Sequence, residues 1–109
     1  MSTLMIMFLL TGLLLSALSI PLILGIIPPN GLYGFRVRKT IENPEIWYAV
    51  NKRSGIGLLA MGVGTALAAV GFALVPNIAI DTYSFSILGV VLVISVITMI
   101  DTLRFMNTL

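Results

Sequence analysis

The chain has no cysteine and no histidine, and only 9% of its residues are charged. Without cysteine there is no disulfide, no thiol nucleophile and no zinc–thiolate site. Without histidine the commonest general base near neutral pH is missing. The shortage of charge excludes more. A soluble domain carries about 25% charged residues. A chain with 59% hydrophobic residues and a mean hydropathy of +1.13 cannot cover its surface against water. Lipid is the solvent that suits it, and in lipid every backbone N–H and C=O needs a partner within the chain, which points to helices. Six basic residues against four acidic ones make no nucleic-acid footprint. The expectation is an all-α membrane protein, a single domain over residues 1–109.

Three stretches are long and apolar enough to cross a bilayer, for which about 20 residues suffice. The first covers residues 3–27 and holds no charged side chain. A cleaved signal peptide is the competing reading. No Lys or Arg precedes the run, however, and the run is longer than a signal's apolar region. Pro21 inside it is expected to kink the helix. The second span covers residues 54–75 and is rich in small residues. Ala60, Gly64 and Ala68 recur every four residues on one face, a pattern that lets another helix approach closely in lipid. That face fits either packing within the bundle or contact with a second copy of the chain. The third span covers residues 83–103. The short connection around Pro76-Asn77 makes spans two and three antiparallel neighbours.

The cations then orient the chain. Arg36, Arg38, Lys39, Lys52 and Arg53 lie between spans one and two, and Arg104 follows span three. Three crossings put all six on one side, and an excess of Lys and Arg marks the cytoplasm. The N-terminus is therefore expected outside, with the first loop and the C-terminus inside the cell membrane.

The first loop, residues 28–53, is longer than a helical hairpin needs. Pro28-Pro29-Asn30-Gly31 stops the first helix and turns the chain, and Gly34 gives a second flexible point. Asn43-Pro44-Glu45 has the pattern of a helix start: a cap, a proline at the first helical position and an acid at the positive end of the dipole. A short interfacial helix from Pro44 to Arg53 is expected, with Trp47 and Tyr48 at headgroup depth.

Asn30-Gly31-Leu32-Tyr33-Gly34-Phe35-Arg36, then Thr40, then Asn43, Glu45 and Trp47, then Asn51 and Gly55 resemble the signature of SdpI-family membrane proteins. In that family a first helix ends in an N-x-x-x-G-[FI]-R turn, followed by a Thr and then a Trp that leads into a Gly-rich helix. The resemblance covers about a third of the chain. It implies the three-helix module of a bacterial immunity protein, which protects a cell from a secreted membrane-active peptide and holds a transcriptional regulator at the membrane. The binding residues to examine are therefore Asn30, Gly34, Arg36, Thr40, Trp47, Asn51 and Asp101.

Arg36 can bind a lipid phosphate, a peptide carboxylate or an acidic partner through a bidentate geometry that Lys cannot match. It can equally be a topology charge that snorkels to the interface. Asp101, at the same membrane level, is its expected ion-pair partner, and Arg104 three residues on is another. Asn30 and Thr40 are expected to bond loop backbone. No phosphate-binding, zinc-protease or hydrolase motif is present, so no enzyme, metal site or cofactor is expected. The leading expectation is a binding or immunity module that counters a peptide toxin or relays its presence to a cytosolic regulator. The alternatives are a structural subunit of a larger membrane complex, a homo-oligomer through Ala60, Gly64 and Ala68, and a lipid- or ion-handling protein using Arg36 and Asp101. Membrane lipids are partners in every case.

Overall fold

The computed structural model describes residues 2–109. It contains four helices: α1 (Ser2–Ile23), α2 (Arg38–Glu42), α3 (Pro44–Ala73) and α4 (Ile80–Met106). Of these α1, α3 and α4 are long and apolar enough to span a membrane. The protein is an all-α, multi-pass membrane protein.

The helix boundaries differ from the hydropathy boundaries, each for a local reason. α1 ends at Ile23, four residues before the expected stop. Gly25 takes a left-handed φ of +71°, and the Ile26 N–H bonds back to the Pro21 carbonyl while the Gly25 N–H bonds to that of Leu22. This paired arrangement closes a helix C-terminus on a glycine, so the chain turns before Pro28 is reached. Pro21 lies in the last turn, where few hydrogen bonds remain to be broken. At the other boundary, the segment expected as an interfacial helix, lying on the membrane or continuing into span two, is the beginning of α3. Thirty residues make α3 roughly 45 Å long, against a hydrocarbon core of roughly 30 Å. About three turns are left to stand beyond that core.

α3 is the central element. It packs along α1 on one side and α4 on the other, and α2 rests against its first turns. Among the described residues no Cα of α1 comes within 8 Å of one in α4. Their side chains meet near the start of each, where Phe8 and Tyr83 stack edge to face with centroids 6.1 Å apart. Tyr83 is fully buried there, and its hydroxyl donates to the Ala69 carbonyl at 2.6 Å. Leu4, Met5, Phe8 and Leu9 close this end around Ala69, Tyr83 and Ile87.

The small residues of α3 serve both neighbours. A Cβ on Gly12 would stand 2.6 Å from the Gly62 carbonyl oxygen and 2.7 Å from the Ala66 nitrogen. The backbones of α1 and α3 therefore touch at a Gly12–Gly62 crossing. On the opposite side Gly57 meets Thr98 and Gly64 meets Ile94, and Ala68 packs against the Tyr83 cluster. Two members of the Ala60–Gly64–Ala68 row are thus covered by α4, while Ala60 stays exposed. With lipid tails as apolar as the side chains, this close approach is the main attraction available.

Gly62→Val should force the α1–α3 crossing apart and cost about 1–3 kcal/mol, the range for overpacking a filled site. Gly71→Ala meets nothing within 4 Å and should be neutral or stabilising by up to about 1 kcal/mol. Denaturant unfolding in mixed micelles, followed by circular dichroism, checks both.

Candidate functional site

The residues singled out in the first loop converge at the end of the bundle that carries the cations. α1 ends there, α3 begins there, and residues 24–43 lie over the junction. The loop backbone leaves many N–H and C=O groups to be partnered. Side chains from α3 and from the loop itself partner them.

Trp47 and Asn51 do so from α3. Trp47 is fully buried, and its indole N–H donates to the Ile27 carbonyl at 2.8 Å. The Asn51 side chain reads both polar groups of one loop residue. Its Oδ1 accepts the Phe35 N–H at 2.5 Å, and its Nδ2 approaches the Phe35 carbonyl at 3.4 Å and donates to the Trp47 carbonyl at 2.9 Å. The carboxamide behaves as a peptide unit of a neighbouring strand would. One helical turn separates the two residues, which puts both on the same face.

Gly34 allows that approach. Its φ is +116°, and a Cβ there would lie 2.7 Å from Asn51 Oδ1 and 3.1 Å from the Trp47 ring. Any other residue is excluded by both conformation and space. Thr40, fully buried in α2, accepts the Val37 N–H at 3.0 Å and reaches the carbonyls of Phe35 and Val37 at 3.0 and 2.9 Å. Asn30 closes its own turn. Its Oδ1 accepts the N–H groups of Leu32 and Tyr33, and its Nδ2 donates to the carbonyls of Pro28 and Tyr33.

Asn30, Gly34, Thr40, Trp47 and Asn51 therefore form one interlocked cap, and Arg36 lies within it. The Arg36 guanidinium donates back to the Gly31 carbonyl. This corrects the expected pairing with Asp101. Asp101 sits on the face of α4 that meets α3, where Arg53 reaches it with both arms, Nε to Oδ2 at 2.8 Å and Nη2 to Oδ1 at 2.9 Å. Arg53 also lies over the Phe105 ring, 4.6 Å from its centroid. Asp101 is thus an interhelical tie outside the cap, and Arg104 does not share it. Asn43 occupies the cap position of α3, but its side chain does not bond the helix. Its amide donates instead to the Lys39 carbonyl at 2.9 Å, closing α2.

Two further features lie outside the sequence expectations. Lys39 Nζ donates to the Met106 carbonyl at 3.0 Å, placing a cation at the negative end of α4 and joining α2 to the third span. Tyr33 turns its hydroxyl inward, where it is buried and among the described residues has no hydrogen-bond partner. Burial pushes that phenol's pKa up. The sequence signal for Lys39 was its place one helical turn before Asn43 in a loop level with the end of span three. For Tyr33 there was none beyond its neighbourhood to Gly34.

The cap spends most of its polar atoms on itself. What it offers outward is Leu32, 92% exposed, together with the free arms of Arg36. Asn51→Leu keeps the side-chain volume but removes the pairing with Phe35. It should destabilise the cap by about 1–3 kcal/mol, seen as faster hydrogen exchange of amides 30–37, with those of the Gly62 region unchanged.

Comparison with known proteins agrees with the cap. No curated protein and no solved structure matches the chain. The model of one protein family matches residues 26–101, which begins at the loop, takes in the whole cap and α3, and ends on Asp101. That match covers well over half the chain: it belongs to the SdpI/YfhL protein family.

Proposed function

We propose that this protein is an immunity-type membrane protein, which counters a membrane-active peptide toxin or relays such a peptide's presence to a cytosolic partner. The observation that supports this reading is the cap. The residues by which the chain resembles its family hold one another in a fixed shape at the basic end. They leave an apolar tip, Leu32, beside the guanidinium of Arg36. In this reading the basic end faces the cytoplasm, because all six cations lie there. A toxin is met within the bilayer by the helices, and a regulator is met from inside by the cap.

A second reading is favoured by one feature. A groove of about 480 Å³ runs between α3 and α4, with Ile56, Gly57, Ala60, Ile94 and Ile97 along it. A helix of a larger membrane complex would find a close-packing face there. Purification in a gentle detergent would then bring down a partner in fixed ratio.

The direct test of the leading reading is expression in a toxin-sensitive bacterium challenged with a panel of membrane-active peptides. At least one peptide should be tolerated tenfold better than by cells with empty vector. Arg36→Ala should lose that tolerance while the amount of protein in the membrane stays equal. If no peptide is better tolerated at matched protein level, immunity is wrong.

A further inference from the structure

The groove between α3 and α4, about 480 Å³, has no residue of α1 in its walls. Ile56 and Ala60 of α3 and Ile94 and Ile97 of α4 line its length, and Arg53 and Asp101 line its basic end. The ion pair there is only partly used up. Both of its side chains are 46% exposed. A guanidinium carries five N–H groups, and Arg53 gives two of them to Asp101. Each Asp101 oxygen keeps a further acceptor site. The groove therefore ends in a cation on its α3 wall and an anion on its α4 wall, at one depth.

We propose that a second copy of this chain covers the groove, related to the first by a two-fold axis along the membrane normal. Charge selects this occupant. An acyl chain offers nothing to either charge, and an anionic headgroup drawn to Arg53 is repelled by Asp101 beside it. A helix on the groove has to bring an acid opposite Arg53 and a base opposite Asp101, at their level. A second copy does so by symmetry. The same cations give it the same orientation in the bilayer, so its Asp101 faces Arg53 and its Arg53 faces Asp101. Four charges then alternate in a square at the end of the bundle where headgroups and water are near.

Deeper in the bilayer the two helix pairs make a four-helix bundle. α3 of one copy runs antiparallel to α4 of the other, and Ile56, Ile94 and Ile97 of both fill the centre. Ala60, exposed within one chain, lets the pairs approach closely. The dimer does not depend on any toxin, and it differs from the second reading above in the identity of the added helices.

The test is disulfide cross-linking in vesicles that contain only this protein. The chain has no cysteine, so each introduced one reports alone. Ala60→Cys in the groove should cross-link about tenfold faster than Leu92→Cys or Leu14→Cys, because only the first pair is held face to face. Leu92 and Leu14 are exposed, and Leu92 lies on the side of α4 away from Ile94. Ala60→Trp should give a monomer with unchanged helix content.

The crossed charges are tested by the double variant Arg53→Asp with Asp101→Arg, which keeps the pair within each chain. Combined with Ala60→Cys it should still cross-link to itself, which also shows that it folds. Mixed in one vesicle with Ala60→Cys alone, it should form mixed dimers about fivefold below the statistical share, because like charges then meet at two places. Cross-linking at Ala60 no faster than at Leu92 and Leu14 would overturn the dimer. So would a cross-link from Ala60→Cys in native membranes to a protein of another mass, which gives the groove to a foreign helix. A statistical share of mixed dimers would overturn the crossed charges.

Discussion

A loop that turns at the edge of a bilayer must find hydrogen-bond partners for its backbone without help from a lipid interior. Here the partner is a carboxamide. Asn51 presents an acceptor and a donor to the N–H and C=O of Phe35, and Trp47 one turn earlier holds the Ile27 carbonyl. Both side chains are buried, so a lost bond would leave an unsatisfied group at a cost of about 1–3 kcal/mol. The rest of the basic end follows from this contact. α3 has to begin at Pro44 rather than at the membrane surface, Gly34 has to lack a side chain, and Thr40 has to close α2 beneath Phe35.

The same helix sets the geometry within the membrane. α3 touches α1 through Gly12 and Gly62 and receives α4 against Gly57 and Gly64. With α1 and α4 on separate sides, they come together at the Phe8–Tyr83 end. That arrangement closes one end of the bundle and leaves the other to the cap. The Arg53–Asp101 pair and the Lys39 bond to Met106 secure α4 there. Both lie at the end where water and headgroups are close, which keeps the cost of burying charge low.

Much of this was legible in the sequence, and the rest was hidden for physical reasons. Hydropathy reads composition and finds three spans, but it cannot see that Gly25 adopts a left-handed turn, so α1 was drawn too long. It also cannot see that residues 44–53, with Glu45, Asn51, Lys52 and Arg53 among them, belong to the same helix as span two, because their apolar face is covered by a loop rather than by lipid. The signature residues were recognisable as a set. Their work in holding backbone was foreseen for Asn30 and Thr40, whose short side chains bond locally. It was missed for Trp47 and Asn51, whose partners lie 20 and 16 residues away. Asp101 was placed at the correct level, but level alone does not tell Arg36 from Arg53. The choice rests on which face of α4 meets α3.

Trp47 is the chain's single tryptophan, which makes the central claim directly measurable. If it is the post beneath the cap, its fluorescence in vesicles is protected from acrylamide in the water and from lipids brominated at any depth of their chains. If it lies at the membrane surface as an interfacial anchor, lipids brominated near the headgroup quench it strongly. Protection from both quenchers is the predicted result, and strong quenching by the shallow brominated lipid would contradict the account.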